Sequence, residues 1–333
     1  MKAEAVVFEN RLQAAFRQVE VPEPREQDVV IEVDYSWISI GTESSFFRGE
    51  RISGEVPCRP GDPWPFPQVA GYQKVGRAVK VGGAVAHVKP GDRVFATVSR
   101  IEGMFFDFGG HVNPAVTDGS QVWKLPETDV PDIAYSGAVL TQVGYNCGIR
   151  PPVAPGEIAL VVGDGLVGHW AAQTLRARGA SVYMLGRREE RLRLAEAGGY
   201  AIPLNGRLSD PAAALREAGA AASIVVDTVG SLETFRSLQP LMKRDSHLVS
   251  AGYLGEHGAV DIQTLREQEI TLHAPSGWTK PRMDETIGGI AAGRLRTEPL
   301  ITHRFAARDA AKAWELIAAP GSPCLGVVLE WGS

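Results

Sequence analysis

Cysteine is scarce in this 333-residue chain, where Cys58, Cys147 and Cys324 are the only three and stand far apart. Such spacing makes neither a disulfide framework nor a metal clip, and it suits a reducing cytoplasm. Long apolar runs are missing, so no stretch approaches the length needed to span a bilayer. Charge of one sign is missing too: 34 Lys and Arg face 39 Asp and Glu, a net charge of −5. That balance points away from nucleic acid and from anionic membranes as partners. The opening Met1-Lys-Ala-Glu-Ala-Val-Val-Phe8 is interrupted by charge and does not read as a signal peptide. There is no internal repeat and no low-complexity segment. What remains is the profile of a cytoplasmic protein with a small-molecule substrate, long enough for two domains.

The most informative stretch is Ile158-Ala-Leu-Val-Val-Gly-Asp-Gly-Leu-Val-Gly168. A β-branched apolar run feeds into Gly163-x-Gly165-x-x-Gly168, and a helical pattern follows that Gly179 can end. This order places backbone N–H groups at a helix N-terminus, where a pyrophosphate can sit. Gly163 permits the tight turn, Gly165 lets the backbone approach the phosphates, and Gly168 lets the helix pack close to the strand. The bland alternative is a glycine turn in some other α/β fold.

The second strand, Ala180–Leu185, ends in Gly186-Arg187-Arg188. An NAD site usually carries Asp or Glu there for the ribose 2′-OH. Here two guanidiniums suited to phosphate take that place, and Arg191 is a third candidate. Solvated arginines at a helix start are the alternative. The expected cofactor is therefore NADP(H), held by Gly163, Gly165, Leu166, Val167, Gly168, Gly186, Arg187 and Arg188, with Val229 and Gly252 further along.

The first half reads as β-rich, with Val29–Tyr35, Val75–Val81 and Arg93–Val98 as strands between turns. A boundary falls near Arg150–Gly156. After it, strands at Val182–Leu185, Ser223–Asp227 and His247–Gly252 alternate with helices at Arg188–Gly198, Asp210–Ala218 and Leu232–Met242. That alternation implies an α/β fold with a doubly wound parallel sheet. The chain then returns to strand, helix, strand: Leu300–Phe305, Arg308–Ala318 and Val327–Trp331.

Several local motifs coincide in order along essentially the whole chain. They are Ser39-Ile-Gly-Thr-Glu43, Val69-Ala-Gly-Tyr-Gln73 with Val75-Gly76, Pro90-Gly-Asp-Arg-Val94, Gly109-Gly-His-Val-Asn113, Val122-Trp-Lys-Leu-Pro126 and Leu300-Ile-Thr-His-Arg-Phe305. Together they resemble the medium-chain dehydrogenase/reductase superfamily. The resemblance implies a β-rich GroES-like catalytic domain, residues 1–146 and 291–333, around an inserted NADP-binding Rossmann domain, residues 147–290. Zinc-dependent members of that superfamily draw catalytic ligands from a Cys, a His-Glu pair and a later Cys. The matching places here hold Ile40, Tyr72, Gln73 and Val139, a poor ligand set, and the four-cysteine structural lobe is missing. No metal is expected, so side-chain donors must polarise the substrate. Residues 36–76 also resemble the bacteriochlorophyllide 3-hydroxyethyl dehydrogenases, with Gln73 where Glu belongs. Ser39–Gly49 is equally similar to zinc-free quinone oxidoreductases and enoyl reductases.

The resemblance places Thr42 and Glu43 in a loop beside the nicotinamide. Thr42 then relays a proton that Glu43 orients, or Glu43 merely pairs with Arg48. Tyr72 donates to a substrate oxygen, or plugs the space a ligand vacated. Tyr145, His111 and Phe106 are candidate substrate contacts, each with an ordinary packing role as its alternative. Phe105, Phe106 and Phe108 suggest a large flat apolar substrate. The expected function is a zinc-independent NADP(H) oxidoreductase of a secondary alcohol or ketone. The alternatives are an NADPH-dependent enoyl or quinone reductase, and a non-catalytic NADPH-binding protein. Ile270–Ala274, β-prone and uncharged, is the expected edge strand of a homodimer.

Overall fold

The computed structural model describes every residue except 55, 209, 218–220, 231, 255–257 and 333. The chain divides into two compact units, residues 1–139 with 301–333, and residues 140–300.

The second unit is built on six parallel strands. Their order across the sheet is Ile202–Asn205, Ser181–Gly186, Ile158–Val162, Ala222–Asp227, Met242–Ser250 and Thr271–His273. The chain winds one way from Ile158–Val162 through the first three strands, then returns past its starting strand to build the other half. The order reverses beside Ile158–Val162 and Ala222–Asp227, the position where Rossmann sheets open a crevice at their strand ends. Central parallel strands are covered on both faces, so they must be apolar throughout. Ala159–Val162 and Ala222–Val226 are accordingly buried residue by residue. Each such Val or Leu contributes about 1.5–3 kcal/mol by leaving water. Thr271–His273 stands at one edge of the sheet.

The first unit is β-rich and GroES-like. Its larger sheet runs Val122–Lys124, Arg93–Ala96, Lys74–Val81, Asp28–Ile38, Gly326–Glu330 and Ile301–Ala306, with Ala115–Asp118 also pairing Asp28–Ile38. Lys2–Asn10 and Gln13–Glu20 form a hairpin in a second sheet. Phe8, Phe47 and Trp314 pack ring to ring in a core beneath.

Two expectations about local structure change. Ser39–Glu43 is not a loop: Ile40–Phe47 is a helix with Ser39 at its N-cap. The expected helix Leu232–Met242 ends at Leu238, gives one 3-10 turn over Gln239–Leu241, and Met242 already belongs to a strand. Pro240 lacks the N–H that would continue the helix. The expected helix Asp210–Ala218 is found as Pro211–Glu217, and Ala218 lies outside the described residues. Among the described residues, no helix is long and apolar enough to cross a membrane.

Candidate functional site

The glycine motif joins the strand Ile158–Val162 to the helix Leu166–Ala177. Gly163 has φ +113°, in the region L side chains rarely adopt, and a Cβ there would lie 2.2 Å from Thr228 Oγ1. A Cβ on Gly168 would lie 2.1 Å from the Gly163 carbonyl oxygen, so helix and turn can meet only without one. Gly165 is different: nothing lies within 4 Å of where its Cβ would be. It is also the helix N-cap, and no side chain caps that end. The first-turn N–H groups of Leu166, Val167 and Gly168 therefore have no capping side chain from Gly165 and carry a partial positive charge. That is a cradle of the right chemistry for a dinucleotide pyrophosphate.

Neighbouring strand ends complete the cradle. Asp227 Oδ1 accepts from the N–H groups of Val229 and Gly230 at 2.9 and 3.3 Å. Val229 is left 54% exposed, an uncovered apolar side chain beside the glycine turn. Gly252 packs so closely on Gly230 that a Cβ would lie 2.1 Å from its nitrogen.

The end of the second strand holds a residue that local sequence reading missed. Asp164 Oδ2 accepts from the backbone N–H groups of Arg187 and Arg188, each at 2.8 Å. Its Oδ1 lies 3.7 Å from Arg191 Nη1. A carboxylate does therefore reach this position, supplied by the glycine turn because adjacent parallel strands bring their C-terminal ends together. Gly186 makes room for it, since a Cβ there would fall 2.5 Å from Asp164 Oδ2. An acid between the first two glycines was the available signal.

A second group of candidates assembles in the first unit. The Tyr72 phenol is hydrogen-bonded to the side chains of Ser39 and Thr42. Burial pushes it well above the ordinary tyrosine range, and the charge of Glu43 pushes the same way. Tyr72 and Thr42 both keep part of their surface open, whereas Glu43 is only 2% exposed. Glu43 Oε1 accepts the Ser39 N–H at 2.7 Å, capping its own helix. Glu43 Oε2 lies 3.1 Å from His111 Nε2. Arg48 does not pair with Glu43; it pairs with Glu50 at 2.6 Å. His111, expected against the substrate, is fully buried with both ring nitrogens engaged.

Phe46 follows Thr42 by one helical turn and so shares its face. Its ring meets Phe106 edge-on at 6.4 Å, and Phe106 stacks on Phe108 at 5.4 Å with 27° between the planes. Phe108 is 49% exposed, so this aromatic wall is open. Tyr145 lies in the other unit, where its hydroxyl donates to Glu285 Oε2 at 3.0 Å.

The positions that match the zinc ligands of the similar dehydrogenases hold a donor set that fits the metal poorly. Ile40 and Val139 carry no donor atom, and the buried Gln73 amide donates to the Trp37 carbonyl at 3.3 Å. Among the described residues, no three His, Cys, Asp or Glu side chains converge as ligands.

The family model described as zinc-binding dehydrogenase matches residues 167–287. A 2-desacetyl-2-hydroxyethyl bacteriochlorophyllide A dehydrogenase from Cereibacter sphaeroides is 27% identical over 341 residues, covering 99% of both chains. The chain is similar to dehydrogenases of the medium-chain dehydrogenase/reductase type. Two solved structures of similar fold are an alcohol dehydrogenase from Escherichia coli CFT073 with NADH and a zinc-binding dehydrogenase from Sinorhizobium meliloti with NADP. The first has a TM-score of 0.84 at 22% identity and covers 99% of each chain. The second has a TM-score of 0.84 at 20% identity, covering 99% of this chain and 100% of its own. Relatives of this chain in sequence are dehydrogenases.

Proposed function

We propose that this chain is a medium-chain dehydrogenase/reductase, a zinc-independent, NADP(H)-dependent oxidoreductase of a secondary alcohol or ketone on a bulky, flat substrate. The observation that carries the reading is Tyr72. It replaces a ligand histidine and is held by the hydroxyls of Ser39 and Thr42 beside the Glu43 carboxylate. A phenol kept neutral in such a place is an electrophile for a carbonyl oxygen. A bound nicotinamide dinucleotide would supply the hydride in reduction and take it in oxidation.

The chain's own residues then have distinct tasks. Leu166, Val167 and Gly168 offer N–H groups to the pyrophosphate, and Arg187 and Arg188 take the 2′-phosphate. In reduction, Tyr72 gives its proton to the oxygen as the carbonyl carbon gains the hydride. Thr42, bonded to the phenol and partly exposed, returns a proton from water. Oxidation runs the same transfers backwards. The open wall of Phe46, Phe106 and Phe108 supports a planar substrate, and the Cereibacter relative is named for a bacteriochlorophyllide. The reading includes a cytoplasmic homodimer.

The test is turnover of NADPH or NADP on planar ketones and alcohols by the parent and by Tyr72→Phe. The variant loses about 10²-fold or more in kcat, while its cofactor affinity stays unchanged. Equal kcat in parent and variant overturns the role of Tyr72. Consumption of enones or quinones without any alcohol oxidation moves the assignment to C=C or quinone reduction.

A further inference from the structure

Behind Tyr72 lies a buried polar chain that the proposed chemistry has not used. Trp331 Nε1 donates to Ser36 Oγ at 2.8 Å, and Ser36 Oγ lies 2.9 Å from His111 Nδ1. His111 Nε2 lies 3.1 Å from Glu43 Oε2, and Glu43 Oε1 accepts the Ser39 N–H. Ser36 and His111 are fully buried. Such a chain is costly unless each member is satisfied, and donor inventory orders it. The Glu43 carboxylate can only accept, so His111 Nε2 carries the proton that faces it; a neutral ring then accepts at Nδ1 from the Ser36 hydroxyl, whose oxygen accepts the Trp331 indole N–H. The imidazole is then the neutral Nε2–H tautomer, and it donates to Glu43.

The backbone ties this chain to Tyr72. Gly71 has φ +81°, and a Cβ there would come within 2.5–2.7 Å of three His111 ring atoms. The imidazole fills a notch in the chain immediately before the phenol. Gly110 is equally close to Tyr72, where a Cβ would lie 2.1 Å from the Tyr72 nitrogen. The N–H groups of Gly110 and His111 both donate to the Ala70 carbonyl, at 3.0 and 2.8 Å.

We propose that His111 is a positioning residue: it fixes the Glu43 carboxylate beside the Ser39–Tyr72–Thr42 hydroxyls and so keeps Tyr72 a proton donor. This rests on the function proposed for Tyr72. Glu43 is the charged group facing the phenol, from the helix Ile40–Phe47; Ser39 and Thr42 are its other polar neighbours. Without the imidazole donor, the buried carboxylate loses one of its two partners and its fixed position beside the phenol. Tyr72 then loses a fixed negative charge that, second to burial among the causes raising its pKa, disfavours its ionisation.

His111→Phe keeps a ring in the Gly71 notch and removes the donor, whereas His111→Gln restores a donor. We expect His111→Phe to lower kcat about tenfold, to leave KM nearly unchanged, and to introduce an alkaline loss of ketone reduction that the parent lacks. We expect His111→Gln to recover much of kcat. Parent-like kcat and alkaline behaviour in His111→Phe overturn the proposal. Two readouts need no turnover. Tyrosinate absorbance should show one additional tyrosine ionising in folded His111→Phe and none in the Tyr72→Phe, His111→Phe double variant. Nitrogen NMR of the parent should find the Nε2–H tautomer at His111. An Nδ1–H or doubly protonated ring refutes the donor order, and no additional tyrosinate refutes the link to Tyr72. If the parent turns over no substrate while both of these hold, the proposed function fails and the positioning role stands. Should His111→Phe not fold, Ser36→Ala frees Nδ1 and should produce a weaker form of the same alkaline loss. Its absence counts against the proposal.

Discussion

Asp164 and Arg187 meet main chain to side chain: the Asp164 carboxylate accepts the Arg187 N–H at 2.8 Å, across 23 residues of sequence. The carboxylate also accepts from Arg188 N–H and has Arg191 alongside, so its charge is offset before any ligand arrives. The exposed Arg187 side chain is free to project outward from a fixed backbone.

Arg187→Ala should therefore weaken NADPH at least tenfold and leave NADH nearly unchanged. A charge-assisted bond to phosphate contributes roughly 1.5–3 kcal/mol, reduced here by exposure and salt. Fluorescence titration of both cofactors checks it. Equal losses for both would assign the arginine to the adenosine or the fold instead.

Lys74 is fully buried, and its amine donates to the Thr97 carbonyl. Burial pulls its pKa down from 10.5 to about 7. The sign follows from proton counting: between these values the unfolded chain holds a proton that the folded chain does not. Stability from this group therefore rises as pH climbs from about 7 towards 10.5 and is lowest below 7. Lys74→Met should raise stability at neutral pH by on the order of 2 kcal/mol, net of the stranded carbonyl. It should also flatten the alkaline rise. Denaturant unfolding at neutral and mildly alkaline pH compares the two. Parallel pH curves would show that the amine finds a compensating partner.

The edge strand Thr271–His273 pairs on one side with Met242–Ser250, and Leu272 is 36% exposed. An uncharged edge invites a second strand. Leu272→Lys should convert a dimer to monomer, followed by light scattering at micromolar concentration. A parent of monomer mass, or a variant as dimeric as the parent, excludes this interface.

Purified protein should carry no stoichiometric zinc, and chelation should leave turnover intact. Gln73 offers an amide already bonded to a backbone carbonyl, and Ile40 offers nothing. Elemental analysis giving one zinc per chain, with activity lost on chelation, would overturn the mechanism.

The doubly wound sheet was legible because its strands are short apolar runs between helical periods, a pattern local enough to read directly. Gly163, Gly165 and Gly168 were legible for the same reason. Asp164 was not, because its bonds depend on two strands lying side by side in register. The Glu43–His111 contact joins residues 68 apart, and nothing near either one announces the other. The helix Ile40–Phe47 was hidden by Gly41, Thr42 and Ser44, weak helix formers that read as loop. Glu43 outweighs that propensity by capping the helix start from within the core.

The larger sheet of the first unit has a consequence for synthesis. Gly326–Glu330 lies between Ile301–Ala306 and Asp28–Ile38, so the sheet is sealed by residues made about 290 positions after their partners in Asp28–Ile38. The Rossmann unit is complete by residue 300 and can fold as the chain emerges. Trp331, which anchors Ser36, arrives after it. On the ribosome, then, the chain acquires its glycine cradle first and the support behind Tyr72 last.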